Sequence, residues 1–230
     1  MNKLLKWAKE RANGNDAETR EIVRLAKKHG GLNARILDVD CGYGRNLTAL
    51  KNAGFTQIAG VDANPHSIET LKEKGFEVFL PQNLGEASEY DLLIASHIIE
   101  HFAPNDLLGF LDFYLDRLKA SGHIIIAAPL ANPLFYNDFD HVKPYGVTSV
   151  LQVFANENNQ VAIRAKNALA LADKVYLRRM PFLRFGAKAQ CAIPLNICER
   201  ILRDLSYLLF IASGNKFGAA NSWCAIFKKL

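Results

Sequence analysis

The feature that most constrains this chain is a regular alternation of short apolar runs with amphipathic segments. "ARILDV" (34–39), "TQIAGVD" (56–62), "FEVFL" (76–80), "YDLLIAS" (90–96) and "GHIIIAAP" (122–129) read as buried strands. Between them, "RNLTALKNAG", "PHSIETLKEKG" and "NDLLGFLDFYLDRLKA" carry apolar residues at helical spacing, and Pro65 opens the second of these helices. Near-continuous apolar strands joined by helices require a sheet covered on both faces. The expected fold class is therefore α/β, a Rossmann-like doubly wound sheet that is mostly parallel. "ETREIVRLAKKH" (18–29) predicts a helix stopped by Gly30 and Gly31.

Beyond Pro129 the alternation weakens. "ANPLFYNDFDHVKPYG" reads as a loop, and "VTSVLQVFANEN" as a helix capped by Thr148 or Ser149. "QVAIRAK" (160–166) is the expected sixth strand and "SWCAIFKK" (222–229) the seventh. Residues 167–215 are too long for a loop, so they are expected to form a helical insert, a substrate lid. Leu4, Leu5, Trp7 and Ala8 predict a short amphipathic helix, giving N-terminal helices over 1–32 of a single domain spanning 1–230. The N-terminus lacks the continuous apolar core of a signal peptide, and no apolar run approaches the ~20 residues that cross a bilayer. The four cysteines form no CxxC pair. Free thiols and a cytoplasmic location are the expectation.

The glycine-rich turn "RILDVDCGYGRNL" (35–47) follows the first strand, where an open parallel sheet binds its ligand. Gly42 and Gly44 allow close backbone approach. Asp62, 18 residues beyond Gly44 at the end of the second strand, can accept both hydroxyls of a ribose. A dinucleotide site wants G-x-G-x-x-G, but Leu47 stands at the third glycine and Asp38 would repel a pyrophosphate. An acid suits a cation instead, such as an ammonium or a sulfonium. S-adenosylmethionine carries both, together with a ribose, and so is favoured over NAD.

"ILDVDCGYGRNL", "IAGVDANPHSIE", "YDLLIASHIIEHF" and "LKASGHIIIAAP" resemble, in order, the successive motifs of class I S-adenosylmethionine-dependent methyltransferases of the small-molecule type. The resemblance covers about residues 33–165 and implies a seven-stranded sheet whose last strand is antiparallel. It implies that Asp38, Gly42 and Gly44 shape the methionine end of the pocket. Asp62 would bind the ribose, with Ala63 and Asn64 beside the adenine and Asn83 and Leu84 bordering it. Ser96 and His97 would flank the transferring methyl. Asp40 departs from the family's glycine. It could draw the cation or crowd the methionine chain, so binding weakened but retained is expected. A non-catalytic cofactor-binding protein is the rival reading.

"HIIEH" (97–101) formally matches the zinc pattern H-x-x-E-H. It directly follows a strand, and a hydrophobic-Glu-His sequence is ordinary there in the family, so no metal is expected. Methyl transfer needs a general base only where the acceptor must lose a proton, and His97, His101 and His141 are the candidates. "DHVKPYG" resembles a family segment, and His141 with Tyr145 is expected to face the substrate cleft. Residues 160–230 hold 12 Lys/Arg against 3 Asp/Glu, whereas residues 1–159 hold 16 against 20. The basic, aromatic "KVYLRRMPFLRFGAK" reads as an interfacial segment at anionic lipid headgroups, a phosphate grip, or an amphipathic helix packed on the domain. A small-molecule or lipid-like acceptor is expected, with peripheral membrane contact as one option. Nucleic acid is disfavoured because no RNA module accompanies the charge.

Overall fold

The protein is described here by a computed structural model covering residues 16–86, 89–155, 163–185, 191 and 193–230. Five parallel strands form the sheet's main body: β1 (Ile36–Val39), β2 (Ile58–Val61), β3 (Glu77–Phe79), β4 (Tyr90–Ser96) and β5 (Leu118–Pro129). β8 (Ala219–Lys229) adds antiparallel to β5. The free edge of β8 takes two short strands in succession, β6 (Leu169–Leu171) and β7 (Tyr176–Met180), both antiparallel to it. The order is β3-β2-β1-β4-β5-β8-β6. The chain steps outward from β1 to β3 and then returns to β1's other side with β4. That reversal opens a crevice at the carboxyl ends of β1 and β4.

The period-two alternation of each strand divides the core between two faces. Leu37, Val39, Leu93, Ala95, Ile124, Ile126 and Trp223 face α4 (Pro104–Leu115) and α5 (Val147–Phe154). Ile36, Leu92, Ile94, Ile125 and Ile226 face α1 (Asp16–His29) and α2 (Arg45–Asn52). Each fully buried Leu or Ile stabilises the fold by roughly 1.5–3 kcal/mol. α3 (Pro65–Glu73) starts where Asn64 accepts the His66 N–H at 3.0 Å and Pro65 pre-sets the first turn. α2 lays Leu47 against Leu71 of α3 and Val78 of β3.

Several sequence expectations are corrected. α4 ends at Leu115, and Lys119 and Ala120 already belong to β5. Arg117 turns back there, donating to the Phe113 carbonyl at 2.6 Å and to Gly85 at 2.7 Å. α5 starts from Gly146 with no side-chain cap, so Thr148 and Ser149 lie inside it. The sixth strand is Leu169–Leu171 rather than 160–166; residues 163–168 are irregular, and the rest of that segment lies outside the described residues. The 167–215 insert is not all helical. It contributes β6, β7 and a 3-10 turn (Phe182–Phe185) before α6 (Ile197–Ala212), which carries a complete Asn196/Glu199 capping box. Tyr176, Arg178 and Met180 are covered while Leu177 and Arg179 alternate with them along the β8 edge. That period of two overrides a helical reading of the basic, aromatic stretch. Leu4, Leu5, Trp7 and Ala8 lie outside the described residues.

The two turn glycines do different jobs. Gly44 has φ 82°, and a Cβ there would stand 2.5 Å from Leu71 Cδ2. Gly42 has φ 52°, and a Cβ there would meet no atom within 4 Å. Gly44 is a packing glycine, whereas Gly42 faces open space. Gly44→Ala is expected to cost about 3 kcal/mol in urea unfolding and Gly42→Ala only about 1 kcal/mol, since only the first adds overpacking to left-handed strain. Equal costs would contradict the assignment.

Candidate active site

Three carboxylates gather around the turn after β1: Asp38 from β1 itself, Asp40 from the turn and Asp62 from the end of β2. Asp62 is buried and pinned at both oxygens: the Gly42 N–H donates to Oδ2 and the Asn64 N–H to Oδ1, each at 2.7 Å. This leaves its outward lone pairs for a ligand. Asp38 is buried too. Its Oδ1 accepts from Asn46 Nδ2 at 3.1 Å, while Oδ2 has no hydrogen-bond partner among the described residues. Burial pushes the Asp38 carboxyl up to about 7; Asn46 and Arg45 oppose the rise, and Asp40 and Asp62 add to it. Asp40 takes the left-handed conformation at φ 58°. Its residue surface is open to solvent, but its carboxyl end is desolvated in the crevice. That burial and the repulsion of Asp62 lift it to about 6.

A second polar cluster closes the crevice on the side of α1. Glu18 is fully buried on the first turn of α1. Its Oε1 receives His97 Nε2 at 2.8 Å, and its Oε2 accepts the Ser222 hydroxyl at 2.8 Å. Arg45 stands 3.7 Å from Glu18 and donates to Ser96 Oγ at 2.8 Å. His97 holds φ 60°, with its N–H on the Ala127 carbonyl at 2.8 Å. Its other ring nitrogen, Nδ1, lies 3.3 Å from Glu100 Oε1. Burial opposes charge on both partners, yet the contacts win. Glu100 and Glu18 raise His97 to about 9, and His97, Ser222 and Arg45 hold Glu18 below the usual carboxylate range. His97 is thus an imidazolium with both nitrogens committed.

Next to it lies a cavity of about 350 Å³. His97, Glu100, His101 and His141 form its polar side, and Pro129, Leu134, Phe135 and Met180 its apolar side. The loop carrying His141 is fastened to the turn after β4, because the N–H groups of Val142 and Lys143 donate to the Glu100 carbonyl at 2.8 and 3.2 Å. His101 Nδ1 lies 3.1 Å from the Asp140 carbonyl, and His141 Nδ1 lies 2.7 Å from the Phe135 carbonyl. A carbonyl only accepts, so both Nδ1 atoms carry the proton and both Nε2 atoms keep a lone pair when the rings are neutral.

The three candidate histidines therefore converge on one cavity, but they are not equivalent. A base needs a free lone pair. His97 has none, which corrects its assignment as general base; His101 and His141 retain one each. Tyr145 is also corrected. It is buried, its hydroxyl donates to the Phe102 carbonyl at 3.0 Å, and its own carbonyl accepts Trp223 Nε1 at 2.8 Å. It lines a separate apolar space between α4 and α5 rather than the cleft of His141. Leu84 packs in the core with Leu37 and Ile98, while Asn83, Ala63 and Asn64 are exposed near the crevice rim. Ser96 is buried and held by Arg45. H-x-x-E-H does not form a helical zinc motif, since His97 ends the strand and only Ile99–His101 makes a 3-10 turn. Sequence reasoning missed Glu18, Arg45 and Ser222. Arg45 directly follows the glycine turn, which is a usable signal. Glu18 looks like any polar residue at a helix start.

The family described as "Methyltransferase domain" matches residues 7–174. Over 101 residues the chain is 25% identical to ribosomal protein L11 methyltransferase of Laribacter hongkongensis; the match takes in 41% of this chain and 32% of that protein. The chain thus spans about a third of the length of that curated relative. Among solved structures, an S-adenosylmethionine-dependent methyltransferase from Archaeoglobus fulgidus is similar at 19% identity and TM-score 0.55, covering 99% of this chain and 100% of that one. The 1,6-didemethyltoxoflavin-N1-methyltransferase of Burkholderia thailandensis, solved with S-adenosylhomocysteine, is similar at 13% identity and TM-score 0.57, covering 94% and 79%. At these identities the solved structures establish the fold.

The Glu18–His97 pair sets a pH window for stability. The folded pKa of His97 lies above its ordinary 6.5, so its contribution is complete below that value and is lost as pH rises through about 9. That of Glu18 is depressed, so its contribution is complete above about 4.5 and is lost on acidification. Thermal unfolding of the wild type is expected to weaken toward pH 9. Glu18→Gln removes one of the imidazolium's two carboxylate partners, leaving Glu100 beside Nδ1, costs about 3 kcal/mol near neutrality, and reduces that alkaline decline. A Glu18→Gln protein with the wild-type pH profile would contradict the pairing.

Proposed function

Because the chain belongs to the methyltransferase domain family, we propose that it binds S-adenosylmethionine between Gly42 and Asp62. The methyl would pass to a small-molecule or lipid-like acceptor in the cavity beside His141. The observation that carries the cofactor assignment is the buried Asp38 carboxyl with its unpartnered Oδ2, at the base of a turn whose Gly42 faces open space. A buried, half-charged carboxylate is costly unless a cation or donor meets it. The crevice's three acids suit the cofactor's ammonium and ribose and repel a pyrophosphate, which disfavours NAD.

The bound cofactor supplies a methyl group activated on a sulfonium. The chain's own residues do the rest. Asp62, held by two N–H groups, accepts the ribose hydroxyls with no reorganisation of its own. Asp38 would meet the ammonium, and Arg45, tethered among the described residues through Ser96 and the more distant Glu18, can turn its guanidinium to the cofactor's carboxylate. Ala63, Asn64 and Asn83 line the adenine side. His97, locked by Glu18 and Glu100, fixes the wall between cofactor and acceptor. The apolar side of the cavity keeps water from the reacting carbon and aligns the acceptor. Where the acceptor is a hydroxyl, Nε2 of His101 or His141 takes its proton.

A lipid-like acceptor is favoured by α6. Ile201, Leu202, Leu205 and Leu209 are each about half exposed or more, together with Leu177, Phe182 and Phe217 from the neighbouring segments. Such a face, set in the basic part of the chain, suits peripheral contact with an anionic membrane. No helix among the described residues is long and apolar enough to cross a bilayer.

Titration calorimetry tests the cofactor reading. One site for S-adenosylhomocysteine and none for NAD are expected. Asp62→Ala should lose about tenfold or more in affinity, in line with the loss of a charged hydrogen-bonding partner. Asp40→Gly should tighten binding, because it removes left-handed strain and a carboxyl crowding Asp62. Binding of NAD, or an Asp62→Ala variant that binds normally, would overturn the assignment.

A further inference from the structure

We propose that Glu100, His101 and His141 form a binding site for one first-row divalent metal ion in the acceptor cavity. The three side chains each offer a ligand atom, and these atoms all lie within 4.8 Å of one another. Two imidazoles and one carboxylate favour zinc, manganese, cobalt or iron over magnesium or calcium, which take all-oxygen sites.

Three independent features point to an ion. Glu100 is fully buried; its Oε1 faces the His97 imidazolium at 3.3 Å without a hydrogen bond, and its Oε2 has no partner among the described residues. Glu100 is among the residues that line the cavity, although its carboxylate is covered. An ion would satisfy a group that is otherwise costly to bury. Next, both histidines are oriented as ligands usually are. Each is tied through Nδ1 to a backbone carbonyl, that of Asp140 for His101 and that of Phe135 for His141, which turns Nε2 away from that bond; His141 Nε2 has the exposed Asp138 carboxylate 3.6 Å away. Finally, the set is assembled by the backbone. The Glu100 carbonyl accepts the N–H groups of Val142 and Lys143, which brings His141 beside the Glu100–His101 pair. Moving from the present spread to the roughly 3.3 Å ligand–ligand edge of a tetrahedral site is within reach of side-chain rotation.

This grouping differs from the H-x-x-E-H pattern, from which no metal was expected. His97 is taken by Glu18, and the third ligand comes from 40 residues further along the chain, as the numbering of His101 and His141 shows. Three protein ligands leave positions open toward the cavity. Resting on the methyltransferase reading, this names the acceptor's chemistry: it presents an oxygen donor, a hydroxyl or carboxylate, to the ion.

The test uses tag-free full-length protein, stripped with a chelator and titrated with Co²⁺ while its visible absorption is followed. One equivalent should bind and produce ligand-field bands. His141→Gln and His101→Gln should each weaken binding by about tenfold or more, and His66→Ala, at an exposed histidine, should not. S-adenosylhomocysteine affinity, measured by calorimetry on the same proteins, should persist in the histidine variants. No stoichiometric Co²⁺ binding, or variants that bind like the wild type, would overturn the metal site. Loss of S-adenosylhomocysteine binding by the wild type would instead overturn the cofactor reading.

Discussion

The repulsion among Asp38, Asp40 and Asp62 is the constraint on which the rest of the site depends. Three carboxyls converge on one crevice, from β1, the turn after it and the end of β2, two of them lifted toward neutrality by burial and by their acidic neighbours. Such a turn is stable only because the backbone around it is heavily tied. Asp62 takes two N–H groups, Asn46 reaches Asp38, and the Cys41 N–H rests on the Val61 carbonyl at 3.0 Å. The fold holds a concentration of negative charge at the carboxyl ends of its central strands. A cationic ligand relieves that concentration.

The opposite arrangement holds at the neighbouring cluster. Glu18 and His97 are charged and neutralise each other behind the crevice, with Ser222 and Arg45 completing the shell. This pair joins α1, β4 and β8, elements far apart in sequence. It makes the start of α1 part of the site's wall rather than a surface helix. It also commits His97 to structure and leaves the Nε2 lone pairs of His101 and His141 for one role or the other: accepting the acceptor's proton, or holding an ion, in which case they are no longer bases.

Much of the sheet was legible because buried parallel strands leave continuous apolar runs, and "YDLLIAS" maps onto β4 without a shift. That Asp38, Gly42 and Asp62 meet at the carboxyl ends of β1 and β2 was legible because a turn after a first strand has few geometric solutions. Of the options for the basic stretch 174–188, the packed helix fails at Tyr176–Met180, because a five-residue edge strand carries too little pattern to compete with helical spacing. Tyr145 was misplaced because an aromatic residue in a polar loop looks like a cleft residue until its hydroxyl finds a carbonyl, here that of Phe102. Glu18 was silent because its importance comes from contacts 79 and 204 residues away. The Glu100–His101–His141 grouping likewise depends on a loop return that local spacing does not encode.

The central claim is that a half-protonated, buried Asp38 awaits a cation. It is tested most directly by the protons exchanged on cofactor binding. Calorimetric titration of S-adenosylmethionine near pH 7, repeated in buffers of different ionisation enthalpy, counts them. A cation beside Asp38 lowers its pKa from about 7, so the wild type should release protons on binding and Asp38→Asn should release far fewer. No proton exchange, or uptake in place of release, would contradict the account.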